Sequence, residues 1–309
     1  MRRYEEAQKE RQAPAGPGAE PGTIGAAVDS YYRSPAFLSL ARSTQAVYVP
    51  IIDALLREML DGARLPLERQ LASAIRPSHI RELMEMKADT PDAANRRLSM
   101  LRLIFQRAIE MDLVEANPCR EVRRYRHHSQ GHHTWTEAEI RRFYDVHRVG
   151  SVAHTAMTLM LYTGARRSDA VRLGWPHVES GWIRWRAQKL ARRGGQVIEL
   201  PIHPVLASVL EALPRDRLTF LETKYGQARS AAGLGGLMRK ACDAAKLPEC
   251  TSHGLRKAIA RRLAEAGATV HEIMAVGDWQ SIKDVEIYTR KAERRVGAEG
   301  AIRKIRAVK

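Results

Sequence analysis

Five side chains in the second half of the sequence are of the types needed to break and rejoin a phosphodiester. In chain order they are Arg166, Lys189, His253, Arg256 and Tyr288. Guanidinium groups hold the non-bridging oxygens of a phosphate, and a tyrosine oxygen can carry the phosphoryl group covalently. A lysine or histidine can deliver a proton to the leaving oxygen. Together these types make a complete metal-free set for phosphoryl transfer.

Each of these residues alone also has an ordinary structural explanation. An arginine in so arginine-rich a chain is usually a surface residue, and a tyrosine on an amphipathic helix more often packs than reacts. Other chemistries lack their motifs. The sequence has no Gly-rich phosphate loop ending in Lys-Ser or Lys-Thr, no clear metal-carboxylate constellation and no serine or cysteine nucleophile motif. We therefore expect neither a nucleotide nor a metal cofactor.

The charge balance favours a polyanionic partner. The chain has 51 Lys and Arg against 35 Asp and Glu, a formal net charge of +16. Nucleic acid is the commonest partner of such a protein, although a solvated basic surface is the alternative. No apolar run is long enough to span a membrane and the N-terminus lacks a secretion signal. Three cysteines without paired spacing fit reduced thiols, so we expect a cytoplasmic protein.

Hydrophobic periodicity predicts two domains after a polar arm at 1–22. A helical domain over 23–118 includes an amphipathic helix that begins near Thr90 and Pro91. A basic linker over 119–133 leads to a second domain over 134–309, opened by a Thr136 to Glu139 capping box.

The second domain is predicted to be mostly helical with a small antiparallel sheet. The stretch AMTLMLYTG predicts a buried helix that stops at Gly164. WIRWR and QVIELPI predict a hairpin whose turn carries Lys189. Helices are predicted at about 203–213, 230–246, 253–266, 270–276, 282–290 and 293–306, two of them opened by capping boxes, Thr269 to Glu272 and Ser281 to Asp284.

Basic side chains outside these five are predicted to bind phosphates of double-stranded DNA. They lie on the amphipathic helix, along the linker and in the hairpin turn, although a charge run is often only solvated. A metal site in the histidine-rich stretch is a weaker alternative, because no cysteine or carboxylate spacing supports it. The predicted DNA contacts are Arg96, Arg97, Arg120, Arg123, Arg124, Arg126, Arg192 and Arg193, and the histidines are His127, His128, His132 and His133.

Nearly the whole chain resembles the tyrosine recombinase (phage integrase) family. NRRLSMLRLIFQRAIEMDLVEANP resembles its helical, SAM-like core-binding domain. LYTGARRSDAVRL, SHGLRKAIARRLAEAG and SIKDVEIYTR resemble the three boxes of its catalytic domain. The resemblance implies site-specific recombination through a 3′-phosphotyrosyl intermediate, by a homotetramer on paired DNA sites. Whether an accessory directionality factor takes part is left open, as is the target sequence.

The resemblance also assigns roles. Arg166 and Arg256 would clamp the phosphate, Lys189 would be the general acid, His253 an acid or base, and Tyr288 the nucleophile. The resemblance assigns two further site residues. Asp169 takes the place of the acidic residue that supports the site in the family's first box, and Trp279 occupies the position of the histidine in the Gly-His pair that usually precedes the tyrosine. Some members use tryptophan there, where it packs and donates an N–H to a phosphate oxygen. Leu190, after Lys189, also departs from the usual Thr or Gly.

Two other hypotheses remain beside the recombinase. A type IB topoisomerase shares the tyrosine chemistry but would relax supercoils without recombining DNA. A non-catalytic DNA-binding relic would bind DNA without forming a covalent adduct, which the departures at Leu190 and Trp279 make a separate alternative. The stretch 291–309 carries few apolar residues, so a helix there would gain stability by burying them. The resemblance implies that it docks on a neighbouring protomer; a tail folded back on its own protomer and a tail that contacts DNA are the alternatives.

Overall fold

Apolar side chains form separate cores in two compact units, Met1–Ser129 and Gln130–Lys309. The computed structural model describes residues 19–126, 131–188 and 197–305, without the side chains at 287, 288, 291–293, 295 and 296. The predicted fold class is confirmed, because this part of the chain is mostly helical and contains a three-stranded antiparallel sheet. No helix within it has both the length and the apolar character needed to cross a membrane.

The first unit is helical, and its longest helix packs through the apolar face predicted from sequence. Leu98, Leu101, Phe105 and Ala108 are all fully buried, so spacings of three and four residues do place one face of this helix in the core. The helices are α1 (Ile24–Arg33), α2 (Pro35–Leu38), α3 (Arg42–Leu56), α4 (Pro77–Glu85) and α5 (Pro91–Glu110), with 3₁₀ turns at Leu67–Arg69 and Ala72–Ala74.

The stretch after α5 belongs to the first unit as far as it is described. Cys119 and Val122 are buried in its core. Asn95 on α5 accepts a hydrogen bond from the Tyr125 amide at 2.9 Å and donates one to the Tyr125 carbonyl at 3.0 Å. Residues 119–126, assigned to the linker from their charge, therefore pack on α5, because their apolar positions have a core to enter.

The second unit contains the predicted hairpin at the predicted strands. Ile183 pairs with Leu200 and Trp185 with Ile198 on the buried face of the sheet. A two-residue strand that the sequence pattern did not indicate extends the sheet, because too short a strand leaves no alternation to detect. The strands are β1 (Val178–Glu179), β2 (Trp182–Arg186) and β3 (Val197–Pro201), in the order β1-β2-β3.

Helices surround this sheet close to their predicted positions. Both capping boxes at Thr136 and Thr269 are confirmed, whereas Ser281 accepts from the Lys283 amide without forming a box. The predicted break near residue 291 is wrong, because no Gly or Pro interrupts the chain there and one helix continues. The helices are α6 (Glu137–Val146), α7 (Val152–Thr163), α8 (Arg167–Ala170), α9 (Pro204–Glu211), α10 (Ala231–Ala244), α11 (Ser252–Glu265), α12 (Val270–Gly277) and α13 (Ile282–Arg303).

Candidate active site

Arg166 is placed by the abrupt end of a buried helix. Helix α7 is buried along most of its length and stops at Gly164, which adopts a left-handed conformation with φ 63°. That glycine reverses the chain, as predicted, and Arg166 follows as the N-cap residue of α8. Its side chain is 23% exposed, so the guanidinium lies at the edge of the core, where an anion can reach it.

Arg256 is a buried cation held by two backbone carbonyls and an aromatic ring. It lies one turn into α11 and is 6% exposed. Its guanidinium donates to the Gly164 carbonyl at 2.6 Å and to the Gly277 carbonyl. The guanidinium carbon lies 4.3 Å from the ring centroid of Trp279, a cation–π contact. The group is thus fixed in position before any ligand binds.

The ring of Trp279 packs against the Arg256 guanidinium. The ring is 7% exposed and belongs to a small core shared by α11, α12 and α13. A Cβ at position 277 would overlap the six-membered part of the indole. Only glycine at 277 therefore lets the ring approach this closely. The residue assigned to the family's histidine position thus lies next to Arg256, which is predicted to clamp the phosphate.

Asp278 is a site residue that the sequence analysis missed. Its side chain is 2% exposed, and its Oδ2 lies 3.5 Å from Nη1 of Arg166. Gln280 donates to Oδ1 at 2.7 Å. The backbone of Asp278 is left-handed, with φ 52°. A signal was present, since Asp278 stands directly before Trp279, where the resemblance would have glycine.

Asp169 supports the entry to the hairpin turn. It is 3% exposed and accepts a hydrogen bond from the Gln188 amide at 2.9 Å. Burial raises the pKa of its carboxyl, while that hydrogen bond and the nearby Arg166, Arg172 and Arg256 lower it. The contact ties α8 to Gln188, two residues beyond the end of β2. Lys189, Arg192 and Arg193, predicted to lie beyond it, are outside the described residues.

His253 lies at the mouth of the site beside a second histidine. Its ring centroid is 4.8 Å from that of His132. Burial of the ring is the largest cause that lowers the pKa of His253 to about 4, and the nearby His132, Arg256, Lys257 and Arg166 contribute to the same shift. His253 is therefore neutral at pH 7, and its ring can accept as well as donate a proton.

The segment carrying His132 is held tightly against α11. Lys257 donates to the His132 carbonyl at 2.5 Å, and Trp135 donates to the Thr251 carbonyl at 2.9 Å. A Cβ at Gly254 would overlap the His133 carbonyl. The glycine of the HGLR box thus permits this approach, a role that its sequence position alone did not indicate.

His132, Arg166, His253 and Arg256 line a cleft of about 580 Å³ whose described lining contains no acidic side chain. A site of this charge suits an anion such as a phosphodiester. Among the lining cations, Arg239 is engaged with the carbonyls of Leu247, Pro248 and Cys250. The lining comprises His132, Ala165, Arg166, Arg167, Ser168, Ala231, Gly235, Arg239, Cys250, Thr251, Ser252, His253 and Arg256.

Tyr288 lies in α13, which packs against α11 and α12. Val285 and Thr289 on the same helix are fully buried. The side chain of Tyr288 is outside the described residues. The backbone nevertheless brings its helix against the helix that carries His253 and Arg256.

One predicted DNA contact is corrected. Arg97 is 5% exposed, forms an ion pair with Glu58 and donates to the Leu83 carbonyl at 3.0 Å. It is a structural residue, because its position on α5 turns it towards α3 and α4. The other described arginines of that set are exposed at the surface: Arg96, Arg120, Arg123, Arg124 and Arg126.

A mixed group of metal-ligand types lies near the site. Within the described ranges, His133, Glu139 and Cys250 have donor atoms within 4.8 Å of one another. Glu139 already accepts from His133 Nε2 at 2.8 Å and from the Thr136 amide at 2.7 Å. Those hydrogen bonds account for the arrangement. His127 and His128 of the histidine-rich stretch are outside the described residues.

Solved structures of similar fold include two complexes of lambda integrase and one of the Tn1549 transposon integrase. A lambda integrase dimer bound to a COC′ core site has a TM-score of 0.73 at 19% identity, covering 85% of this chain and 93% of that one. A lambda integrase tetramer bound to a Holliday junction has a TM-score of 0.75 at 19% identity, covering 89% of this chain and 80% of that one. The Tn1549 transposon integrase in complex with a circular intermediate DNA has a TM-score of 0.71 at 16% identity, covering 90% of this chain and 99% of that one.

A sequence comparison identifies the family of the chain, which similarity in fold alone does not. A search of curated proteins gave no match. The sequence model described as "Phage integrase family" matches residues 133–295, more than half of the chain. That range includes every residue of the candidate active site except His132. The chain belongs to the phage integrase family.

Proposed function

We propose that this protein is a site-specific DNA recombinase that cleaves and rejoins DNA through a 3′-phosphotyrosyl intermediate on Tyr288. The observation that carries the proposal is the pair of arginines at one cleft. Arg166 and Arg256 both line a cleft in which the described residues include no acidic side chain, and α13, which carries Tyr288, packs on the helix of Arg256. A phosphodiester is the ligand that such a pair of guanidinium groups suits best.

The proposed reaction conserves the number of phosphodiester bonds. The Tyr288 oxygen attacks the scissile phosphorus while the bond to the 5′ oxygen breaks, and Lys189 gives that oxygen a proton. Neutral His253 has an unprotonated ring nitrogen, which would accept the tyrosine proton. Attack of a 5′ hydroxyl from another strand reverses the steps and releases Tyr288. Because each bond broken is replaced by one of the same kind, the reaction requires no ATP, and we propose that the two arginines take the place of a metal.

We further propose that four protomers act together on paired double-stranded DNA sites. The likeness to the tetrameric lambda integrase on a Holliday junction supports this. The exposed arginines Arg96, Arg120, Arg123, Arg124 and Arg126, with Arg192 and Arg193 of the hairpin turn, would bind the DNA backbone.

Trapping the covalent adduct tests the proposal. Nicked duplexes that tile the DNA flanking the gene are incubated with the full chain and separated under denaturing conditions. We expect a detergent-resistant protein–DNA adduct that is absent with Tyr288→Phe, whose DNA affinity stays near that of the wild type. Absence of any adduct with the wild-type protein would overturn the proposal. Relaxation of supercoiled DNA without any recombined product would favour a topoisomerase instead.

A further inference from the structure

The turn Gly277-Asp278-Trp279 contacts both arginines of the cleft. The Gly277 carbonyl accepts from Arg256, the Trp279 ring lies beneath the same guanidinium, and the Asp278 carboxylate lies beside Arg166. Three consecutive residues thus fix the positions of both cations. The contact with Arg256 explains the Trp, and the Trp279 ring leaves no room for a Cβ at Gly277, whereas the carboxylate requires its own explanation.

Asp278 is in a backbone conformation that does not favour aspartate. Its φ and ψ of 52° and 47° lie in the left-handed region, which glycine adopts without the cost that a Cβ imposes. Its amide caps α12 by donating to the Met274 carbonyl, a contact that glycine would make equally well. The fold of the turn therefore gives no reason for a carboxylate at this position.

The surroundings of the carboxylate give that reason. It is almost fully buried, its Oδ1 accepts from Gln280, and its Oδ2 faces Nη1 of Arg166. Burying a carboxylate is unfavourable unless it is paired or hydrogen-bonded. An arginine has five donors, so a contact through Nη1 leaves others directed to the cleft.

We infer that Asp278 is a positioning residue, which holds the Arg166 guanidinium in the orientation that receives the scissile phosphate. The inference rests on the proposed function. Without the carboxylate, the Arg166 side chain would sample several rotamers. Binding of the phosphate would then have to fix one of them, at a cost in conformational entropy. Asp278 thus acts on the reaction through Arg166 and does not itself touch the DNA.

The variants are chosen to separate charge from backbone. Asp278→Gly relieves the left-handed strain and removes the carboxylate, whereas Asp278→Asn keeps the size of the side chain and loses only its charge. Asp112 provides a matched control, because it is an exposed aspartate with φ 57° in the first unit. Asp112→Gly and Asp112→Asn repeat the same chemical changes in the unit that does not contain the cleft.

A chemical readout reports on Arg166 without any DNA. Dicarbonyl reagents such as phenylglyoxal attack the deprotonated guanidine, and a neighbouring carboxylate stabilises the protonated form. We expect Asp278→Asn and Asp278→Gly to raise the labelling of Arg166 several-fold relative to that of exposed Arg167, measured by mass spectrometry. Both Asp112 variants should leave this ratio unchanged.

A kinetic readout then tests the consequence. With the nicked duplex that gives the wild-type adduct, both Asp278 variants should form the adduct about tenfold more slowly or worse, since misplaced catalytic groups cost factors of this order. Melting temperature checks the fold, and Asp278→Gly should be at least as stable as the wild type. Unchanged labelling, or unchanged adduct formation in an active protein, would overturn the inference. A wild-type protein without adduct, whose Asp278 variants still show raised labelling, would instead overturn the proposed function.

Discussion

The guanidinium of Arg256 lies 4.3 Å from the ring centroid of Trp279, and its two described hydrogen bonds go to the carbonyls of Gly164 and Gly277. The two carbonyls come from the ends of α7 and α12, so one side chain joins the boundaries of two helices. A stack on indole stabilises the cation and also fixes the plane of its donors. This arrangement makes Trp279 a support for Arg256, which we propose clamps the phosphate.

Trp279→Ala should impair both folding and chemistry. Removal of a buried tryptophan costs about 3–5 kcal/mol of unfolding free energy, and Arg256 loses the ring beneath it. Trp279→Phe keeps an aromatic face and should retain most of the stability. Denaturant unfolding measures the first effect and single-turnover adduct formation the second. Equal adduct rates for Trp279→Ala and the wild type would contradict the role assigned to the ring.

Gly277→Ala should displace Trp279, because the added methyl group would overlap the indole. We expect lower stability, weaker near-ultraviolet circular dichroism from the tryptophan and slower adduct formation. Gly236→Ala is the matched control, since a Cβ there meets no atom within 4 Å of its helix position. That change should raise the stability by up to about 1 kcal/mol. Similar effects from the two substitutions would disprove the packing argument.

The depressed pKa of His253 predicts a loss of stability in mild acid. The unfolded chain takes up the proton near the usual pKa of about 6.5, and the folded protein only near pH 4. Between these values the unfolded state binds more protons, so this contribution to stability is lost as the pH falls from about 6.5 to 4. Thermal melts of His253→Gln should show a smaller decrease over that window. A parallel decrease in both proteins would show that His253 is not responsible.

Arg96 and Arg97 are neighbours in sequence with opposite expected roles. Arg97→Ala leaves Glu58 without its partner; breaking a fully buried ion pair costs about 3–5 kcal/mol, and we expect a smaller loss here because the Glu58 side chain is 28% exposed. Its effect should appear in unfolding rather than in the salt dependence of DNA binding. Arg96→Ala should leave stability within about 0.5 kcal/mol and lower the slope of log affinity against log salt by about 1. Fluorescence anisotropy with duplex DNA at several salt concentrations makes the comparison.

The end of α13 presents apolar side chains to solvent, as expected of a segment that docks on another protomer. Ile302 is 68% exposed and Ile305, just beyond the helix, is 71% exposed. A chain ending at 292 should bind a single DNA site almost normally but lose cooperative binding to paired sites. Weaker single-site binding would instead identify the segment as a DNA contact. Normal assembly and recombination by the shortened protein would contradict docking altogether.

Local patterns were sufficient for much of the fold. Interactions between residues only a few positions apart produce the apolar face of α5, the end of α7 at Gly164 and the two capping boxes. Such features can be predicted from the local sequence. The same locality explains the failures. The residues around Arg97 in the sequence do not indicate that it forms an ion pair with Glu58. Likewise, residues 119–126 do not indicate that Cys119 and Val122 are buried in the core of the first unit.

The sequence by itself determined which residue types are available for phosphoryl transfer, their order, and the elements that carry Arg166, His253 and Arg256. Only the tertiary structure decided what surrounds them. Asp278 lies 112 residues from Arg166 in the chain, and the Gly164 carbonyl lies 92 residues from Arg256. Such contacts depend on how α7, α11 and α12 pack, and packing is set by the summed fit of many side chains rather than by any local pattern.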